Sequence, residues 1–220
     1  MSSSTSYRLS GIALIVGSVL SVIYYVSQAF INGNDLTQLA GPLSVYGSLI
    51  GFIGSLLVLL GLPGMYVRQA QRAGILGLLG FLFVSYIIVL QGVIVPFTSV
   101  TIVPTLVNHP ATRSLLNDQS AFSFGPFFLV STVAQTVGIL LLAIATLRAK
   151  VFPRWIGWLF IATLVLGVVS FLPFVPNFLG NLAPVLGSVA IAGVGYALLS
   201  PERLEHMQPA TASTAAAANA

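Results

Sequence analysis

Residues 43–95 read LSVYGSLIGFIGSLLVLLGLPGMYVRQAQRAGILGLLGFLFVSYIIVLQGVIV, and this stretch decides the fold. It consists of two apolar runs on either side of the segment Arg68-Gln-Ala-Gln-Arg72, which holds its only charges. A helix needs about 20 mostly apolar residues to cross a bilayer, and each run meets that length. Backbone polar groups in hydrocarbon must be paired within their own segment, which favours helices. The stretch therefore predicts two membrane-spanning helices joined by a basic turn.

The same composition extends over the whole chain. Charged residues make up 5% and hydrophobic residues 57% of its 220 residues, whereas roughly 25% charged residues is usual in a soluble domain. A soluble fold of this size has too little interior to hide so much apolar surface. We therefore predict an all-α fold, a polytopic transmembrane bundle of six helices. The expected spans are 9–31, 43–66, 74–95, 126–147, 155–174 and 177–199.

These spans are expected to form one transmembrane domain, residues 1–206, followed by a low-complexity cytoplasmic tail, residues 207–220, that is disordered. Pro96 is expected to end the third span because proline interrupts a helix. Residues 96–125 then form an extracytoplasmic loop, in which Asn108 caps a short surface helix that ends near Leu116. Pro173 and Pro176 separate the fifth span from the sixth.

The placement of lysine and arginine predicts that both termini are cytoplasmic. With six spans, seven of the eight basic residues fall on the side of the termini, and Arg113 alone falls on the other side. Basic residues are enriched in cytoplasmic segments, so we expect a multi-pass protein of a bacterial plasma membrane. The net charge of +4 then reflects topology, and we predict no nucleic acid partner because scattered bases do not form a basic patch.

The first span has a second interpretation, as a cleavable signal peptide. Arg8 would provide its basic start, and Ser27-Gln28-Ala29 would provide a cleavage site of small residues. Its apolar core of about 18 residues is longer than the 7–15 usual for such peptides, which favours a retained helix. Cleavage stays open at this point, and the other five spans keep their orientation in either case.

The predicted spans contain no Asp, Glu, Lys, Arg or His, and the chain contains no cysteine. Ionisable groups at depth mark proton relays and ion paths, and acid–base catalysis also requires them. Neither His109 nor His206 is expected to form a zinc site with a partner at short spacing. We therefore predict no enzymatic activity, no catalytic residue, no metal site and no cofactor.

Small and hydroxylated residues recur at helical spacing in several spans, as Ser44, Ser48, Gly51 and Ser55 do in the second. Small residues let membrane helices approach closely, and hydroxyl groups bond across them. One interpretation is packing within the bundle. Another is that glycine-rich faces bind a second copy of the chain or a different membrane protein, in addition to membrane lipids.

Polar uncharged side chains also cluster by depth, toward the outer half of the predicted bundle. Such residues suit a vestibule that binds an uncharged amphiphile or a lipid headgroup. We expect Gln28, Gln91 and Gln135 to converge, because an amide that faces lipid would lack hydrogen-bond partners. The candidate vestibule residues are Tyr24, Gln28, Tyr46, Tyr86, Gln91, Ser131, Gln135 and Asn181.

Three phrases resemble a group of uncharacterised bacterial six-helix multi-pass membrane proteins. They are Gly61-Leu-Pro-Gly-Met-Tyr-Val-Arg-Gln-Ala70, Asn108-His-Pro-Ala-Thr-Arg-Ser-Leu-Leu116 and Leu147-Arg-Ala-Lys-Val-Phe-Pro-Arg-Trp155. The group has no established activity, so the resemblance implies a fold and assigns no functional residue. The sequence thus predicts a non-catalytic structural or accessory membrane component. The alternative is a facilitator or sensor for a small neutral amphiphile or lipid.

Overall fold

A computed structural model describes residues 3–33, 35–109, 111–112, 125–170, 172 and 178–200. All regular structure in these residues is helical, which confirms the predicted all-α class. The elements are α1 (Ser3–Gln28), α2 (Leu36–Leu39), α3 (Pro42–Ile87), a π-helix (Ile88–Ile94), α4 (Val95–Asn108), α5 (Gly125–Ala149), α6 (Arg154–Val169) and α7 (Phe178–Leu199).

Four helical segments of the described chain are long and apolar enough, by length and composition, to cross a membrane. They are Thr5–Gln28, Pro42–Asn108, Leu129–Ala149 and Gly180–Leu199, while α6 is apolar but only 16 residues long. The segment Pro42–Asn108 has 67 residues. As a straight helix it would measure about 100 Å, roughly three times the hydrocarbon thickness of a bilayer.

This long segment folds back on itself at Gly74. Its backbone there has φ 57° and ψ −149°, a combination that is essentially confined to glycine. The rings of Tyr66 and Phe81 stack with centroids 5.0 Å apart, and those of Phe52 and Phe97 lie 6.2 Å apart. Residues 42–73 and 75–108 are therefore two antiparallel helices, and the basic segment predicted from the sequence lies at their turn.

Pro96 does not end the second of these helices, so that prediction was wrong. A proline normally clashes with the carbonyl four residues earlier and leaves it without a donor. Here the π-helix precedes Pro96, and the Val95 N–H donates to the Leu90 carbonyl, five residues back. The wider turn accommodates the ring, and α4 continues to Asn108. Asn108 is thus the last residue of α4, and the short surface helix predicted after it falls mostly outside the described residues.

Several other boundaries differ by a few residues. Helix α1 begins at Ser3 and not at residue 9, and the first half of α3 continues to residue 73 and not only to 66. Helix α6 ends at Val169, whereas the predicted span continued to residue 174. Pro173, Pro176, Arg113 and the predicted tail lie outside the described residues.

Glycines form the closest contacts between neighbouring helices. A methyl group added at Gly17 in α1 would lie 2.6 Å from the carbonyl oxygen of Gly54 in α3. One added at Gly11 would lie 2.8 Å from the carbonyl oxygen of Gly195 in α7. Such short separations are open only to glycine, and backbones this close gain dispersion energy. The small-residue stripes of these helices therefore serve packing inside the bundle.

Large apolar side chains lie on the outside of the bundle. In α1 they recur at helical spacing and are about half exposed, whereas Ser18 and Ser21 are buried. A water-soluble helix shows the opposite distribution. The exposed set in α1 is Leu9, Ile12, Val16, Val19, Ile23 and Val26. This surface is compatible with a membrane protein.

The two ends of the bundle differ in charge. The antiparallel contacts bring the exposed bases Arg8, Arg72, Arg148, Lys150 and Arg154 to one end, termed the arginine end. Arg68 is buried there, with its guanidinium carbon 6.0 Å from the ring centroid of Tyr7. The opposite end, termed the Asp35 end, contains the connection between α1 and α3 and the end of α6.

Candidate functional site

A cavity of about 320 Å³ lies inside the bundle, in the part of each helix that is nearer the Asp35 end. At the arginine end the helices fill the space between them, since Gly157 meets the side chain of Leu147 and Gly193 meets the ring of Trp155. Toward the Asp35 end small residues replace large ones. A methyl group added at Gly167 would meet no atom within 4 Å, so there is open space beside α6 there.

The π-helix brings a glutamine to this cavity. Gln91 lies within it, and its Nε2 donates to Oε1 of Gln135 in α5 at 3.0 Å. The next residue, Gly92, packs directly against the Ser55 side chain, with no room for a Cβ. Single π-turns in helices are frequent at functional sites. Here the π-turn coincides with the most polar pair in the cavity wall.

Hydroxyl groups surround this amide pair. Five of those that line the cavity donate their proton to a backbone carbonyl three or four residues earlier in the chain. These bonds are Ser21 to Gly17 (2.9 Å), Thr136 to Thr132 (2.9 Å), Thr163 to Leu159 (2.8 Å), Ser170 to Gly167 (2.7 Å) and Ser188 to Pro184 (2.9 Å). Ser18 also lines the cavity, but its hydroxyl oxygen is buried and has no hydrogen-bond partner among the described residues.

The opposite part of the cavity is mostly apolar, although in α1 the lining residue nearest the arginine end is Ser18. In both halves of α3, and in α5, α6 and α7, the lining residue nearest the arginine end is an aliphatic or aromatic side chain. These residues are Val58, Val84, Ile139, Phe160 and Ile191. The cavity is thus amphipathic along the bundle axis, with hydrogen-bonding groups toward the Asp35 end and hydrocarbon toward the middle.

The cavity wall carries no net charge. Among the described residues that line it there is no Asp, Glu, Lys, Arg or His. Burying an unpaired ion in such surroundings costs several kcal/mol, and no described lining residue would compensate its charge. The arrangement therefore suits a neutral molecule.

Two of the eight predicted vestibule residues, Gln91 and Gln135, line this cavity and bond to each other. Gln28 does not join them, because it lies beside Gly47 where α1 packs on α3. Tyr24 is buried against Gly51 in the same interface. The structure thus brings together two of the three amides expected to converge.

The other four predicted residues also lie away from the cavity wall. Tyr46 and Tyr86 point outward, with 64% and 41% of their surfaces exposed. Ser131 is buried outside the cavity, and its hydroxyl has no hydrogen-bond partner. Asn181 is half-buried and does not line it. A ligand contact by any of the eight residues stays a prediction.

Several lining residues were not in the predicted set. Tyr25 takes the place expected for Tyr24, one position along α1. Thr163 is a single hydroxyl within an apolar helix, so no stripe marks it in the sequence. Ser188 and Ser21 do belong to stripes of small residues, but packing explains those stripes equally well. Only the three-dimensional structure distinguishes residues that line the cavity from residues that pack between helices.

No family model, curated protein or solved structure matches the chain. The resemblance carried by the three quoted phrases therefore stays a prediction. What the site does has to be inferred from its geometry.

Proposed function

We propose that this protein is a non-catalytic integral membrane protein that binds a small neutral amphiphile in its cavity, as a facilitator or as a sensor. The observation that carries the proposal is the uncharged, amphipathic cavity with the Gln91–Gln135 pair in its polar half. A polar headgroup would lie against this pair. The attached hydrocarbon would lie against Val58 and Phe160.

The volume limits the size of the ligand. At roughly 30 Å³ per water-sized group, a 320 Å³ cavity holds about ten such groups. A medium-chain alcohol fills it, and a larger lipid would place only its headgroup and the first part of its chain inside. Ligand pockets begin near this size, at about 300 Å³.

A purely structural or accessory role receives less support. The glycine contacts between Gly17 and Gly54 and between Gly11 and Gly195 lie inside the bundle, so these small-residue faces are not available to a partner. A role limited to packing also does not explain the open space at Gly167, where a larger side chain would fit.

For the membrane arrangement, we propose six crossings of a bacterial plasma membrane with both termini cytoplasmic. The hairpin at Gly74 supports two crossings within Pro42–Asn108. The exposed bases of the arginine end support a cytoplasmic location for that end, which places the cavity in the outer half. A cysteine at Gln71 should then be labelled only from the cytoplasm, and one at Gly33 only from outside. The reverse pattern would contradict this orientation.

Protection of a single cysteine tests the binding site. The chain has no native cysteine, so Gly167→Cys places one thiol in the cavity, and Leu60→Cys places a control thiol on a surface that is 71% exposed. At nonanol concentrations about ten times its Kd, modification at position 167 by a neutral thiol reagent should slow about tenfold. Equal slowing at both positions, or none at position 167, would contradict the proposed site.

A further inference from the structure

We propose that the cavity selects ligands that donate a hydrogen bond, so that its amphiphile carries a hydroxyl or N–H group rather than an ether or ester oxygen alone. This inference rests on the proposed function and names the chemical class of its ligand. It follows from the hydrogen bonds that hydroxyl groups of the cavity wall already donate to backbone carbonyls.

A serine or threonine hydroxyl has one proton and two lone pairs. In five lining residues that proton is donated to a carbonyl of the same helix, at 2.7 to 2.9 Å. Each of these oxygens therefore presents only acceptor capacity to the cavity. Donation also polarises the hydroxyl and makes its oxygen a stronger acceptor.

A backbone carbonyl adds to this excess of acceptors. Pro184 lies inside α7 and has no N–H, so the carbonyl of Gly180 lacks its usual donor four residues along the helix. Both residues line the cavity. The cavity wall thus includes a residue whose carbonyl cannot receive this helical hydrogen bond.

The other polar groups of the cavity wall do not reverse this excess of acceptors over donors. After the bond from Gln91 to Gln135 is made, the two amides together keep as many donors as acceptors. Tyr25 and Ser55 also line the cavity, and the hydroxyl group of each adds one donor together with acceptor capacity. A ligand hydroxyl therefore meets several acceptors, whereas a ligand that only accepts would leave them unpaired and would compete for few protons.

Nonanol and methoxyoctane test the inference because they are isomers of equal size that differ in one hydrogen-bond donor. Both would be titrated against modification of Gly167→Cys in nanodiscs of one lipid composition, with partition into empty nanodiscs subtracted. Loss of one hydrogen bond predicts that methoxyoctane protects with a Kd about threefold to tenfold higher. Equal affinities would overturn the inference and leave the proposed function standing. Protection by neither compound would overturn both.

A second variant assigns the preference to the wall hydroxyls. Thr163→Val combined with Ser188→Ala removes two acceptor oxygens while it keeps most of the side-chain volume. The preference for nonanol should shrink, and the affinity for methoxyoctane should stay the same, which also shows that the cavity is intact. A preference of undiminished size in this variant would overturn the assignment.

Discussion

Replacement of Gly74 by alanine tests whether the chain reversal inside Pro42–Asn108 depends on the backbone conformation of a glycine. The residue has φ 57° and ψ −149°, and an added Cβ would meet no atom within 4 Å. A loss of stability can therefore come only from the backbone. Residues held in this region of φ and ψ cost about 1–3 kcal/mol, and we expect Gly74→Ala to lower the free energy of unfolding by that amount.

Equilibrium unfolding in mixed micelles of sodium dodecyl sulfate and a mild detergent measures this difference. Gly33→Ala is the matched control, because Gly33 is exposed, has no neighbour within 4 Å of an added Cβ and has no positive φ. A surface substitution of that kind changes stability by about 0.5 kcal/mol or less.

The reasoning would be refuted if Gly74→Ala were as stable as the control. Alanine would then occupy an ordinary backbone conformation at position 74, and the two halves of α3 would not be joined by the reversal that stacks Tyr66 on Phe81.

Three further predictions concern packing, the amide pair and pH. Gly17→Ala should destabilise the protein by about 1–3 kcal/mol, because its methyl group meets the Gly54 carbonyl. Gly167→Ala should not, because its methyl group enters open space. An equal shift of the unfolding temperature in both variants would contradict the glycine contact. Gln135→Leu should lower the free energy of unfolding by about 0.6 kcal/mol, the average for such contacts in membranes. Adding Gln91→Leu to this variant should cause little further loss. Fully additive losses would mean that the two amides do not interact. Hydrogen bonds from the backbone N–H groups of Thr37 and Gln38 lower the pKa of Asp35. The turn that Asp35 caps should therefore be protected from amide exchange at neutral pH and lose this protection as pH falls through the lowered pKa. If the turn in Asp35→Asn still loosened with acid, another group would be responsible.

The hairpin of residues 42–73 and 75–108 was predictable because its determinants are local. Two apolar runs of sufficient length flank Arg68 and Arg72, and bilayer thickness limits how long one crossing can be. The turn also has a local cause, since Gly74 alone near this segment has a positive φ. The outward placement of large apolar residues likewise follows from composition.

The course of the chain beyond Pro96 was not predictable in the same way. A proline is a reliable signal for interruption of the hydrogen-bond ladder, but the ladder can continue when a π-turn precedes it. Nothing in the order of residues 88–94 requires that turn. It is visible only through the bond from the Val95 N–H to the Leu90 carbonyl.

The cavity depends on separations between helices, which the sequence does not encode locally. Depth alone grouped Gln28 with Gln91 and Gln135, although α1 turns Gln28 toward Gly47. Helix α6 packs on α5 at Gly157 and Leu147, and Thr163, further along α6, lines the cavity. Polarity and depth identified candidate residues, and only the packing of the bundle selects among them.

Photoaffinity labelling with a diazirine derivative of nonanol tests the proposed function most directly. After irradiation in nanodiscs, the labelled residues should lie on the apolar cavity wall, at Phe160 and Ile191, and excess unlabelled nonanol should abolish the labelling. Labelling confined to exposed apolar side chains such as Leu60 and Val165, with no effect of the competitor, would contradict a binding site inside the bundle.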